Sequence, residues 1–330
     1  MSRCTDLTLC TVSFHSKPWL ELNWALTAQQ NPEQAIRWMI AENSPSESPL
    51  KLLENDSRFT VIPGAAFEKR PYAAGSYHHA AGMNKILSRI NSRYALFLDP
   101  DFFIIRPQWI STVIRHMQTN ELAFLGVPWH PKHTLKPRYF PCVHCLFVDL
   151  EQIPVETLDF SPDYPALPGY KNPKTGGMID RILRLLGNRL DLFRWQKRRY
   201  IGISRDVSWR IHEYYFGHSQ YRVECLQPVF RPSLSWLQSS VEKYLPDRLS
   251  FIPKRDGYFT KIGFREHNLM DLDSLGWEEF IWQGQPFGFH LRQNPKRTSK
   301  ESMHSRYHYD RVVEFLKLSS APTSFLAPVS

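Results

Sequence analysis

Short apolar runs alternate with amphipathic stretches along the first half of the chain. Leu7 to Phe14, L-T-L-C-T-V-S-F, reads as a buried strand. Trp19 to Gln30 then carries helical apolar spacing at Leu20, Trp24 and Leu26, with Pro18 at its opening, where a proline is tolerated. Ile36 to Ala41 gives a second strand that stops at Glu42-Asn43-Ser44-Pro45, completing a β-α-β unit whose strand ends share one edge. Phe59 to Pro63 is a third strand, and Tyr77 to Ile90 a helix with Met83, Ile86, Leu87 and Ile90 on one face. Strands follow at Ala95–Leu98, Leu122–Val127 and Val143–Leu150, with a helix over Trp109–Met117. The alternation predicts an α/β fold with parallel strands flanked by helices.

The Ala95–Leu98 strand ends in Asp99-Pro100-Asp101, followed by Phe102-Phe103-Ile104-Ile105. At ~3.3 Å per residue and period two, the aspartates are roughly 6–7 Å apart at Cα and face the same way, within reach of one hard cation. Pro100 suits a strand end. As a solvated turn the motif would be unremarked, but here two charges lie inside apolar sequence. Burying them unpaired costs several kcal/mol, and a divalent metal answers that cost.

L-F-L-D-P-D, preceded by H-H-A-A-G-M-N-K-I-L and by an early strand and turn ending E-N-S, resembles the nucleotide-sugar half of a GT-A glycosyltransferase, over roughly residues 7 to 150. The resemblance implies a GT-A, Rossmann-like nucleotide-diphospho-sugar transferase fold, α/β with a mixed, mostly parallel central sheet flanked by helices. It also implies transfer from a nucleoside diphosphate sugar, UDP-linked by expectation, with Mn2+ or Mg2+ as cofactor. Donor contacts would fall on Ser13, His15, Glu42, Asn43, Ser44, His79, Asn84, Lys85 and Asp99. Glu42 stands where the family more often has Asp, and Glu42 to Ser44 also suit a simple turn. A late histidine in such enzymes ligates the metal, and G-F-H-L-R places His290 with Asp99 and Asp101; a buried structural histidine is the other reading.

An inverting transferase also needs a carboxylate to take the acceptor's proton. By order along the chain that base is Asp180 or Asp163, although Asp180 equally suits the first turn of the helix opening at Gly176. Trp129 and Tyr139 could stack on a sugar or form an apolar lid. Pro154 to Thr175 reads as a substrate-shaping loop, and Arg292 to Lys300 as a basic loop able to cover a diphosphate. Arg181 to Arg199, basic and interleaved with leucines, suits an anionic membrane surface or a solvated helix face.

The 330 residues, 42% hydrophobic, are read as one domain over 1–318, with a nucleotide-sugar half to 106, an acceptor half after it and a disordered tail over 319–330. No run of about 18 apolar residues occurs, so the chain is expected in the cytoplasm, with peripheral contact at the inner membrane face as an option. Five cysteines argue against a disulfide framework, and Cys142-Val143-His144-Cys145 is read as buried thiols over a zinc site. The net charge of +9 favours anionic partners. These are the sugar nucleotide and a glycan or lipid-linked, cell-envelope acceptor. A nucleotidyltransferase is the first rival, but F-H-S-K-P-W lacks the glycine-rich loop it needs. A nucleic-acid binder is the second, but the basic residues form no recognisable module, and no nucleic acid is expected.

Overall fold

The computed structural model describes residues 3–44, 56–69, 74–131, 138–163, 206–232, 234, 236–245, 252–291 and 306–319. Among these, β1 (Arg3–Ser13), α1 (Lys17–Gln30), β2 (Gln34–Glu42), β3 (Phe59–Pro63), α2 (Ala74–Leu87) and β4 (Tyr94–Leu98) follow the expected β-α-β order. Next come β5 (Phe102–Ile104), α3 (Trp109–Asn120), β6 (Leu122–Gly126), β7 (Cys145–Asp149), α4 (Trp209–Tyr215), β8 (Arg222–Cys225) and β9 (Gln227–Pro228). The described chain closes with α5 (Trp236–Glu242), β10 (Glu278–Trp282), β11 (Gln285–His290) and α6 (Arg306–Ser319).

Seven strands form the main sheet in the order β3-β2-β1-β4-β7-β6-β8. β7 alone among them runs against its neighbours β4 and β6; the other pairs are parallel. The sheet is therefore mixed and mostly parallel, as the resemblance implies. All five residues of β4 are buried, because both of its faces are covered. Leu96 and Leu98 pack with α1 and α3, while Ala95 and Phe97 pack with Met83 and Ile86 of α2. The chain lays β2 and β3 on one side of β1 and then returns to place β4 on the other. The crevice at the ends of β1 and β4 is thus the switch point where open α/β sheets bind ligands.

Most element boundaries shift by one to four residues from expectation, and two of the shifts have a visible cause. α2 opens at Ala74 instead of Tyr77, and its last turn tightens through Arg89 N to Ile86 O and Ile90 N to Leu87 O bonds, so it stops at Leu87. β7 begins at Cys145 instead of Val143 because Cys145 N bonds Cys142 O, turning the chain over Val143 and His144.

The larger difference is a second sheet, β5-β11-β10-β9, with every pair antiparallel. The chain leaves β4, turns so that Phe102 N bonds Asp99 O at 3.0 Å, and enters β5 immediately. Asn23 of α1 fixes this turn, its amide donating to Pro100 O and Phe102 O at 3.1 and 2.7 Å. Phe103, Ile281 and Phe289 of the second sheet pack with Trp19 and Leu22 of α1 and with Val312 and Phe315 of α6. The expected tail begins at the last residue of α6, Ser319; residues 320–330 lie outside the described set.

Gly288 sits where β11 crosses β5, and a Cβ there would lie 2.6 Å from Phe103 O and 3.0 Å from the Phe102 ring. Gly288→Ala is expected to lower stability by about 1–3 kcal/mol, read as a lower urea midpoint at unchanged slope.

Candidate metal and donor site

Asp99 follows the last residue of β4, and the antiparallel register Leu98↔Cys145 sets His144 opposite it. Asp99 N donates to His144 O at 3.1 Å, and the two side chains meet in a short contact between His144 Nδ1 and Asp99 Oδ2. His290, the last residue of β11, pairs with Phe102, and Leu291 N bonds Asp101 O at 3.1 Å. The second sheet thereby carries His290 to the D-P-D turn. Its Nε2 lies 3.3 Å from Asp101 Oδ1 and 3.8 Å from Asp99 Oδ2. His79 of α2 closes the group, with Nε2 at 3.5 Å from Asp99 Oδ1.

Glu278 completes the arrangement from behind. It is fully buried, stands opposite His290 in the hairpin and takes His290 Nδ1 at 2.8 Å, which leaves Nε2 facing the aspartates. This carboxylate-to-imidazole pairing is the one that orients metal-binding histidines. The adjacent Glu279 points to the other face and accepts the backbone N–H groups of Phe264, Leu272 and Asp273.

Burial works against charge on Asp99, but the imidazoles of His144, His79 and His290 outweigh it and hold the carboxyl well below the usual range. Burial likewise disfavours the His290 imidazolium, yet Asp101 and Glu278 outweigh it and push the group up to about 9. The residues fit the divalent cation that the resemblance implies. Asp99 Oδ1 and His79 Nε2 are both buried without a hydrogen-bond partner, and Asp99, His144 and His290 each offer a donor atom within 4.8 Å of the others.

The expected metal residues Asp99, Asp101 and His290 therefore come together, and His79 joins them from the expected donor set. His144, Glu278 and Asn23 escaped the sequence reading. C-V-H-C drew attention to its thiols, which are buried at Cys142 and Cys145, whereas the histidine between them faces the site. For Glu278 a signal existed: two adjacent glutamates inside W-E-E-F-I-W cannot both face water on a buried strand.

The remaining expected donor residues lie along the same region in different employment. Ser13 ends β1 with its hydroxyl buried and without a partner. His15 is exposed, with φ of 54°, and its N–H donates to Ser44 Oγ at 2.9 Å. Ser44 N in turn donates to Glu42 Oε1 at 2.8 Å. Asn43 donates to His78 O and accepts from Ala65 N, so its side chain ties the loop at Ala65 to α2. Asn84 bonds Asp159, Ser161 and Phe160 N, and Lys85 Nζ bonds Gly64 O at 2.6 Å. Trp129 is buried edge-on against His144, with ring centroids 4.7 Å apart, and Tyr139 packs on Tyr258. Asp163 lies within electrostatic reach of Arg210. Asp180, the Gly176–Leu186 helix, the Arg181–Arg199 stretch and the Arg292–Lys300 run lie outside the described residues.

No protein-family model matches the chain, and no curated protein matches it. Among solved structures it is similar to the mannosyltransferase PcManGT from Pyrobaculum calidifontis in complex with GDP-Man and Mn2+, at 10% identity and a TM-score of 0.34. It is also similar to S. aureus TarS 1-349, at 9% identity and a TM-score of 0.36. These likenesses cover 45% and 47% of this chain and 45% and 50% of the two neighbours, so the chain spans about half their length. The glycosyltransferase GlyE of Streptococcus pneumoniae TIGR4 is similar over 81% of this chain and 61% of its own, at 11% identity and a TM-score of 0.34.

Glu278→Gln keeps the volume and one acceptor but removes the charge behind His290. Divalent-cation affinity, followed by calorimetric titration of Mn2+ into metal-stripped protein, is expected to fall about ten- to a hundredfold.

Proposed function

We propose that this chain is a metal-dependent glycosyltransferase of the GT-A type, moving a sugar from a nucleoside diphosphate sugar to an acceptor hydroxyl. The observation that carries the reading is the position of Asp99 and Asp101. They stand at the β1/β4 switch point, facing a histidine brought in from a separate sheet and held by a buried carboxylate. Asp99, Asp101 and His290 would hold Mn2+ or Mg2+. When bound, that ion neutralises charge on the leaving diphosphate. The ends of β1 and β2 around Ser13, His15, Glu42 and Ser44 supply hydroxyl, imidazole and carboxylate groups for the nucleoside, with UDP the favoured donor. Asn43, Asn84 and Lys85 support the same edge by fixing the loops around it.

Residues 1–106 serve the donor in this reading and 107–318 the acceptor. Asp163 or Asp180 takes the proton from the attacking hydroxyl as the anomeric bond inverts. The acceptor is a cell-envelope glycan or lipid-linked sugar, met in the cytoplasm or at the inner membrane face. Among the described residues no helix is long and apolar enough to cross a membrane. The nucleotidyltransferase alternative is disfavoured by the join between β1 and α1, where Phe14, His15 and Ser16 alone bridge strand to helix and leave no room for a glycine-rich phosphate loop.

Thermal unfolding with UDP, GDP or no nucleotide, each with and without Mn2+, tests the proposal. A ligand at a hundredfold its dissociation constant stabilises the native state by ~2.7 kcal/mol, a visible melting shift. The expected result is a Mn2+-dependent shift with UDP that is lost in Asp101→Ala. No shift with either nucleotide in folded protein would sink the transferase reading.

A further inference from the structure

The site holds two imidazoles beyond its late histidine, His79 and His144; His79 falls outside the group of donor atoms that lie within 4.8 Å of one another, whereas His144 belongs to it with Asp99 and His290. His144 is buried, its ring stacks on that of His290 with centroids 4.1 Å apart and planes at 29°, and the edge-on Trp129 packs against it. Its Nδ1 contacts the same Asp99 oxygen that His290 Nε2 approaches at 3.8 Å. The other oxygen of Asp99 is buried without a hydrogen bond. Asp99 is 6% exposed, so water does not supply the missing partner cheaply.

We infer that His144 is itself a metal ligand, and that the His144–His290 pair makes this a site for a first-row transition ion that discriminates against Mg2+. The inference rests on the metal half of the reading above. The chemistry follows from the donor set. Mg2+ demands oxygen ligands in near-ideal octahedral geometry and gives up water reluctantly. Imidazole nitrogen favours the transition series, with affinity rising from Mn2+ through Co2+. Two stacked imidazoles beside Asp99 and Asp101 offer two nitrogens and two carboxylates. Glu278 strengthens the contrast by fixing His290 with Nε2 toward the aspartates, so that this nitrogen cannot turn away to make room for a hydrated Mg2+.

The alternative role for His144 is to orient Asp99 without touching the ion. Counting nitrogens separates the two. Full-length, metal-stripped protein is titrated with Mn2+, Co2+ and Mg2+ in the absence of nucleotide, and the Mn2+-loaded sample is studied by pulsed electron paramagnetic resonance for directly bound 14N. Wild type is expected to bind Mn2+ and Co2+ at least about tenfold more tightly than Mg2+ and to show two bound nitrogens. His144→Ala is expected to lose about tenfold or more in Mn2+ and Co2+ affinity, leave Mg2+ affinity unchanged and show one nitrogen. Should the alanine variant fail to fold, His144→Gln carries the same count. One nitrogen in wild type, an unchanged count in the variant, or equal affinity for Mg2+ and Mn2+ would overturn the inference. Since no nucleotide is present, a protein that binds Mn2+ through two imidazoles yet ignores UDP would refute the transferase reading and leave this one intact.

Discussion

Three carboxylates, Asp99, Asp101 and Glu278, and three imidazoles, His79, His144 and His290, occupy a largely water-excluded space at one edge of the main sheet. Buried charge of this density is stable only if every group finds an opposite partner. The pairing is nearly complete: His290 bridges Glu278 and Asp101, and His144 meets Asp99. What remains unmatched is one oxygen of Asp99 and one nitrogen of His79, which face each other across 3.5 Å without a hydrogen bond. The fold must hold this cluster together before any ligand arrives.

It does so by joining two sheets at a single turn. Asp99 belongs to the end of β4 and Asp101 to the entry of β5, so the D-P-D motif is the seam between the seven-stranded and four-stranded sheets. Antiparallel pairing on one side delivers His144, and antiparallel pairing on the other delivers His290. Asn23 locks the seam from α1, with both of its donated bonds going to backbone carbonyls flanking Asp101. Register fixes identity here. A slip of one residue in β11 against β5 would turn His290 away from the aspartates and present Phe289 in its place.

This arrangement explains what the sequence could tell. The first three strands, their helices and the D-P-D strand were legible because each is a local pattern: an apolar run, a helical stripe, a strand that ends in charge. Asp99 and Asp101 were legible because charge inside apolar sequence needs a partner. His290 was reached only through family resemblance, since nothing local to G-F-H-L-R says which way its ring faces. His144 was hidden for a different reason. Its neighbours Cys142 and Cys145 offered a more familiar reading, and its role depends on β7 pairing antiparallel to β4, a contact between residues 45 positions apart. Asn43 and Asn84 carry a structural task that their sequence context does not announce: Asn43 bonds the backbone of His78 and Ala65 and Asn84 the backbone of Phe160, groups that would otherwise be left unpaired.

The cost of such a site bears on how it works. His290 is drawn from β11 and His144 from β7, far apart in sequence, so the cluster exists only after both sheets have formed. On the proposed metal reading, binding would therefore follow folding instead of nucleating it. A site assembled in this way presents its donors at fixed separations, with the orienting carboxylate Glu278 already in place, and little reorganisation remains when charge arrives. On that metal reading the same rigidity would limit what the site accepts. Donors held by two sheets would resist spreading to admit a bulky hydrated ion, and the β5–β11 pairing that assembles the site would also govern which cation enters it.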